Sequence, residues 1–168
     1  DSSKEGNLLI YALEQLKVDT GKIMWTNTVN CFPYHKNISG TKIKRPPMLK
    51  EVEEYWTRRA ESYSDVVCHE LNHSNEKSWM DVILKEIPED KKIKIADMGT
   101  GPGFFAISLA KRGYDVTAVD YTQEMLNHAM QNAGTYASRI TWMRGDVQNL
   151  ENIQDGSFDV IVTRNLTW

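Results

Sequence analysis

The stretch IKIADMGTGPGFFAISLAKRGYDVTAVD, from Ile93 to Asp120, decides the fold. A short apolar run (Ile93, Ile95, Ala96) stops at Asp97. Gly99, Gly101 and Gly103 follow in a G-x-G-x-G spacing. Phe104, Phe105, Ile107, Leu109 and Ala110 predict an apolar helix that halts near Gly113. A second apolar run (Tyr114, Val116, Ala118, Val119) ends on Asp120. Strand, glycine loop, helix and strand make one βαβ unit, which requires parallel strands and a right-handed crossover. The expected class is α/β.

The residues of the loop constrain its ligand. Glycine admits positive φ and lets a ligand approach where a Cβ would stand in the way. The loop opens onto a helix N-terminus, whose free N–H groups and dipole favour an anionic group. Asp120 lies 23 residues after Asp97, at the carboxyl end of the second strand. An acid there can accept both hydroxyls of a ribose. The ligand expected is a nucleoside with an acidic appendage. The dinucleotide fingerprint is G-x-G-x-x-G, but here the third glycine comes one residue early and position 104 is Phe. Asp97 also stands two residues ahead of Gly99. A carboxylate there repels a diphosphate and favours a ligand carrying an ammonium or a sulfonium.

An acid followed by x-G-x-G-x-G resembles motif I of the class I S-adenosylmethionine (SAM)-dependent methyltransferases. Later segments extend the likeness. Tyr121 to Leu126 is similar to the family's stretch after the second strand, with Thr122 as a helix N-cap. Ile140 to Arg144 reads as a third strand, followed by Gly145-Asp146-Val147. Ser157 to Thr163 reads as a fourth strand, with Arg164-Asn165 just past it. Glu54 to Tyr63 resembles the lead-in helix of small-molecule methyltransferases. The resemblance covers residues 48–168. It implies a Rossmann-like, doubly wound parallel sheet, of which this chain carries the N-terminal half, in strand order 3-2-1-4.

The same resemblance implies the site. Cofactor contacts are expected from Tyr55 and Tyr63, and from Asp97, Met98, Gly99, Thr100, Gly101 and Gly103. Further contacts are expected from Asp120, Tyr121, Met125, Gly145, Asp146, Val147, Arg164 and Asn165. Asp97 and the loop would hold the amino-acid end, Asp120 the ribose, and Asp146 the adenine amino group. The cofactor would be SAM and the product S-adenosylhomocysteine (SAH). Plainer readings stand beside these. The glycines could serve only turns, Asp146 could be a turn acid, Tyr55 a core aromatic, and Arg164 and Asn165 simple strand-end residues. Thr163 to Trp168 lacks the N-P-P-Y-like tetrad of nucleobase and glutamine-amide methylases, which suggests a small-molecule acceptor. No catalytic general base is apparent. A SAM-binding module without chemistry is the alternative.

Composition bounds the rest. At 168 residues, 40% apolar and 26% charged, the chain suits one globular domain. No run approaches the ~18 apolar residues of a membrane span, and no secretory leader is visible. Cys31 and Cys68 lie without metal spacing, which fits free thiols in a cytoplasmic protein. A net charge of −3 gives no general affinity for nucleic acid. Residues 1–50 carry 8 basic and 4 acidic residues, and the acidic excess lies beyond them. That shift suggests a boundary near Met48, with residues 1–47 as an N-terminal extension of uncertain origin. There a helix (Leu8 to Leu16) and a strand (Lys22 to Val29) are expected, with loop from Cys31 to Pro47. Gly6 to Leu9 and Trp25 to Pro33 resemble an internal piece of the uracil-DNA glycosylase superfamily, with Asn27 and Cys31 at its base-reading and cluster-ligand positions. Ordinary strand-end and loop residues are the preferred reading of both.

Residues 49–87 predict two helices, stopped by Pro88. Within this stretch, His69-Glu70-Leu71-Asn72-His73 fits H-E-x-x-H, in which two His at i and i+4 of a helix share a zinc with Glu as base. The alternative to a zinc hydrolase is a polar helix end facing water, and no metal is expected. A sheet ending at the fourth strand would have an apolar edge. A missing C-terminal half or a second copy is expected to cover it.

Overall fold

The computed structural model describes residues 34–36, 42–44, 48–150 and 153–166. The helix and strand expected before residue 31, and Asn27 and Cys31 themselves, lie outside them. Tyr34–Lys36 (β1) and Lys42–Lys44 (β2) pair antiparallel where loop was expected. Ser39-Gly40 lies between them, a short hairpin signal that the two prolines downstream obscured.

Two helices follow, Leu49–Leu71 (α1) and Ser74–Glu86 (α2). Glu51 accepts the Met48 N–H at 2.9 Å, half of a capping box. The buried face of α1 is Ala60, Ser64 and Val67. Val66 and Val82, two of the apolar positions in this stretch, are exposed. The rest is a parallel sheet with its crossovers: β3 (Lys94–Met98), α3 (Phe104–Lys111), β4 (Asp115–Asp120), α4 (Gln123–Ala133), a 3₁₀ turn (Gly134–Arg139), β5 (Ile140–Arg144) and β6 (Val160–Thr163). The order is β5-β4-β3-β6, all parallel, which is the 3-2-1-4 arrangement expected. β6 is shorter than the run from Ser157 suggested. Asp159 pins its start instead, accepting the Lys94 N–H at 2.8 Å and donating its own N–H to the Lys94 carbonyl at 2.9 Å.

Burial follows the period-two alternation of strands. Ile95, Val116, Ala118 and Ile140 pack with α3, α2 and Val67 of α1 in one cluster. Ala96, Met98 and Val119 face the other way, against Met143, Phe158, Ile161 and Leu166. Every residue of α3 from Phe104 to Ala110 is buried, so it is apolar all round rather than striped. Of the described residues, no helix is long and apolar enough to cross a membrane.

Candidate functional site

Successive strands move outward from β3 through β4 to β5, then return to β6 on the other side of β3. The order reverses between β3 and β6, and a crevice opens there beyond the carboxyl ends of the strands. The glycine loop leaves β3 at this point, and residues 164–166 leave β6 beside it.

Gly99, Gly101 and Gly103 have φ of 69°, 53° and 93°. L-residues with a Cβ rarely adopt such values. The Gly99 and Thr100 N–H groups both donate to the Val119 carbonyl, at 2.8 and 2.9 Å. The Gly103 N–H reaches the Thr100 carbonyl at 2.9 Å, and the Gly101 N–H reaches Asp120 Oδ2 at 2.8 Å. Pro102 has no N–H. The loop therefore spends its own donors holding its shape, and those of Phe104 and Phe105 are left without a partner among the described residues.

Asp97 and Asp120 flank this loop. Asp97 is buried beneath it, its Oδ2 accepting the Thr100 hydroxyl at 2.7 Å and the Ala106 N–H at 2.9 Å. Burial pushes the Asp97 carboxyl up to about 6, with Asp120 adding to the rise; the Thr100 and Ala106 donors and the charge of Arg164 oppose it. Asp120 accepts the Thr122 N–H on Oδ1 at 2.8 Å as well as that of Gly101 on Oδ2. Burial also raises Asp120, against those two backbone donors. Thr122 stands at the N-cap of α4 as expected, but its side chain makes no capping bond.

Two helices hold the loop from above. From α1, the Tyr63 ring lies 3.5 Å from where a Cβ on Gly101 would sit. Trp56 packs on Tyr63 with ring centroids 5.7 Å apart, and Tyr55 stands edge-on to Trp56 at 5.1 Å. From α4, Ala129 lies 3.1 Å from a Cβ placed on Gly103. Asn132, one turn on, donates from Nδ2 to the Pro102 carbonyl and to Ser64 Oγ, each at 3.0 Å. Its Oδ1 accepts from Cys68 Sγ at 3.0 Å. A Cβ on Gly99 would run into the Leu166 side chain.

The other expected residues are distributed around this centre. Met98 and Met125 are buried, Met98 on the second face of the sheet. The Tyr121 carbonyl accepts from Arg144 Nε at 3.1 Å, and the Arg144 guanidinium lies 5.9 Å from the Tyr121 ring. The Gly145 N–H donates to the Asp120 carbonyl at 3.0 Å. Asp146 accepts the Gln148 N–H at 2.9 Å in a turn, and Val147 packs on the second face. Asn165, at φ 58°, reaches the Tyr63 hydroxyl at 3.4 Å. Arg164 is engaged elsewhere. It grips Glu70 with both ends, at 2.9 and 2.8 Å, and covers the Phe104 ring at 4.6 Å. Burial alone would lower its affinity for the proton; the Glu70 carboxylate more than restores it.

That pairing bears on the H-E-x-x-H motif. Glu70, the base of the motif, is committed to Arg164. Helix α1 ends at Leu71, so His73 lies beyond it as the N-cap of α2. The two imidazoles stack at 3.8 Å. Among the described residues no group of three or more His, Cys, Asp or Glu could hold a metal ion.

The sequence reading missed Ser64, Cys68, Asn132 and the Glu53–Arg144 pair. One signal for Asn132 was present: it falls on the apolar stripe of α4 with Met125, Ala129 and Ala133. A polar residue there needs a partner.

A family profile described as a methyltransferase domain matches residues 95–168. The release factor glutamine methyltransferase of Bacteroides thetaiotaomicron is 38% identical over 86 residues, 50% of this chain and 30% of that protein. The ubiquinone biosynthesis O-methyltransferase of Rickettsia prowazekii is 24% identical over 125 residues, 74% of this chain and 48% of that one. The chain thus spans less than half the length of these relatives. Among solved structures, the Methanococcus maripaludis protein mmp1179, whose name places it with SAM-dependent methyltransferases, superposes with a TM-score of 0.52 at 21% identity. That match covers 74% of this chain and 54% of that one, and is a likeness of fold. The glycine loop, the two acids and the strand order agree with that profile, so residues 95–168 are similar to a methyltransferase domain.

Proposed function

We propose that residues 48–168 bind SAM in the crevice over the glycine loop, as the cofactor-binding portion of an enzyme that methylates a small molecule and releases SAH. One observation carries this reading. Asp97 and Asp120 both sit where burial raises their affinity for a proton. Among the described residues neither has a Lys or Arg within hydrogen-bond reach; Arg164 bonds Glu70 and acts on Asp97 through its charge alone. The crevice is short of positive charge. A ligand with an ammonium and a sulfonium relieves both carboxylates, whereas a diphosphate would add to the repulsion.

When bound, SAM supplies an electrophilic methyl group on its sulfonium. The chain's own residues position it. Asp120 keeps lone pairs on both oxygens for the ribose hydroxyls after accepting its two N–H groups. Asp97 keeps Oδ1 for the amino-acid end. The Phe104 and Phe105 N–H groups, at the positive end of α3, suit a carboxylate. Tyr121, Met125 and the Gly145-Asp146-Val147 turn line the adenine side, and Asp146 Oδ2 is the acceptor for its amino group. Met98, Gly99 and Thr100 form the floor. Tyr63, with Trp56 and Tyr55 behind it and Asn165 on its hydroxyl, offers aromatic faces to the sulfonium. Arg164 contributes by fixing α1 over the crevice.

For the acceptor, two features favour a small molecule. Asn165-Leu166-Thr167-Trp168 stands where an amide methylase would carry its N-P-P-Y-like tetrad. One relative is named for O-methylation in ubiquinone biosynthesis. The free thiol of Cys68 fits a cytoplasmic setting. Calorimetry with SAM, SAH and NAD tests the cofactor: SAM and SAH should bind, NAD should not, and Asp120→Ala should weaken SAH about tenfold or more. Binding of NAD in preference to SAH overturns the reading.

A further inference from the structure

We propose that Asn132 is a positioning residue for the cofactor loop: it fixes the peptide plane of Pro102 and thereby the grip on the amino-acid end of the cofactor. This rests on the SAM reading above. Pro102 lies between Gly101 and Gly103, both in the left-handed region. Neither glycine restricts the rotation of the peptides beside it, and proline has no N–H to anchor. The Gly103 N–H of the Pro102–Gly103 peptide is held within the loop by the Thr100 carbonyl, and the Pro102 carbonyl is where a side chain from outside the loop holds the same peptide. Asn132 Nδ2 donates to that carbonyl at 3.0 Å. The asparagine is itself fixed, by Ser64 Oγ at 3.0 Å and by the Cys68 thiol on Oδ1 at 3.0 Å. Both belong to α1, one and five residues beyond Tyr63, which lies on Gly101. Ala129, on the same face of α4, is small enough for the helix to lean on Gly103. One side chain therefore joins α4, α1 and the peptide immediately ahead of the Phe104 and Phe105 N–H groups. If that peptide turns, those two donors lose their aim while Asp120, on another strand, keeps its place.

The test separates the two ends of the ligand. SAH and 5′-deoxy-5′-methylthioadenosine share the adenosine, but only SAH has the amino-acid end. Both are titrated against the full chain and against Asn132→Ala and Asn132→Asp, the latter keeping the shape and the acceptor while removing the donor to Pro102. The expected result is a tenfold or greater loss for SAH with methylthioadenosine within about twofold. Equal losses for both ligands, or none, overturn the assignment. Failure of the unaltered chain to bind SAH would instead overturn the SAM reading. Should both variants unfold, the unaltered chain decides. The Asn132 side-chain amide protons should be protected from solvent exchange and shift more with SAH than with methylthioadenosine; exchange at the free-amide rate overturns the proposal.

Discussion

Asp97 carries a charge that two donors and Arg164 offset only in part. Its ordinary value is 3.8 and burial lifts it to about 6. Between those values the folded chain binds more protons than the unfolded one, so stability falls as pH rises and is lowest above about 6. Asp97→Asn keeps an acceptor for Thr100 and Ala106 without the charge. It should raise the unfolding free energy at pH 8 by about 1–3 kcal/mol, at ~1.4 kcal/mol per pH unit, and by much less at pH 4.5. Melts at the two values check this; an Asn variant less stable at pH 8 would show that the charge stabilises the fold. The same variant should lose SAM affinity, because a neutral side chain no longer attracts the ammonium. Gly101→Ala belongs to this scale too. It meets Tyr63 at ordinary contact distance, so its cost lies in the φ of 53°, about 1–2 kcal/mol, measurable by urea unfolding. The sequence placed these residues in and beside the glycine loop. It did not show that Asp97 turns under the loop to serve Thr100 and Ala106, because the direction of a side chain depends on what packs above it.

At the scale of elements, α1 is tied down at both ends. Glu53 meets Arg144 at 2.7 Å, with side chains 34% and 50% exposed. Glu70 meets Arg164 with both ends, the side chains 13% and 18% exposed. Water screens the first pair, so Glu53→Gln should cost less than about 1 kcal/mol. Removing one partner of the second strands a buried charge, so Arg164→Met should cost about 3 kcal/mol. Denaturant unfolding of the two variants checks the order; similar costs would mean that α1 is not held chiefly at its C-terminal end. Helix periodicity announced α1 and α2. It could not show that Leu71 ends the helix inside H-E-x-x-H, nor that Glu70 pairs with a residue 94 positions away.

Across the whole molecule, cooperativity should centre on β3 and β4, the inner strands of the sheet. β6 pairs with β3 alone among the described residues. Amide exchange should therefore be slowest in β3 and β4 and faster in β6; equal protection of β6 would mean that something covers its far edge. SAM at 100 times its dissociation constant should add about 2.7 kcal/mol to stability, seen as a thermal shift that saturates logarithmically. The sequence by itself determined the parallel α/β sheet, its strand order, and the glycine loop between two acids. The sheet and the loop follow from local periodicity, the freedom of glycine and the handedness of βαβ crossovers, whereas the strand order came from the resemblance to a known family. Only the tertiary structure decided what those residues do to one another. Burial raises Asp97, Glu70 pairs with Arg164, and Asn132 reaches the loop from a helix that the pattern marks merely as amphipathic. Each of these is a meeting of groups distant along the chain, and only packing brings them within hydrogen-bond range.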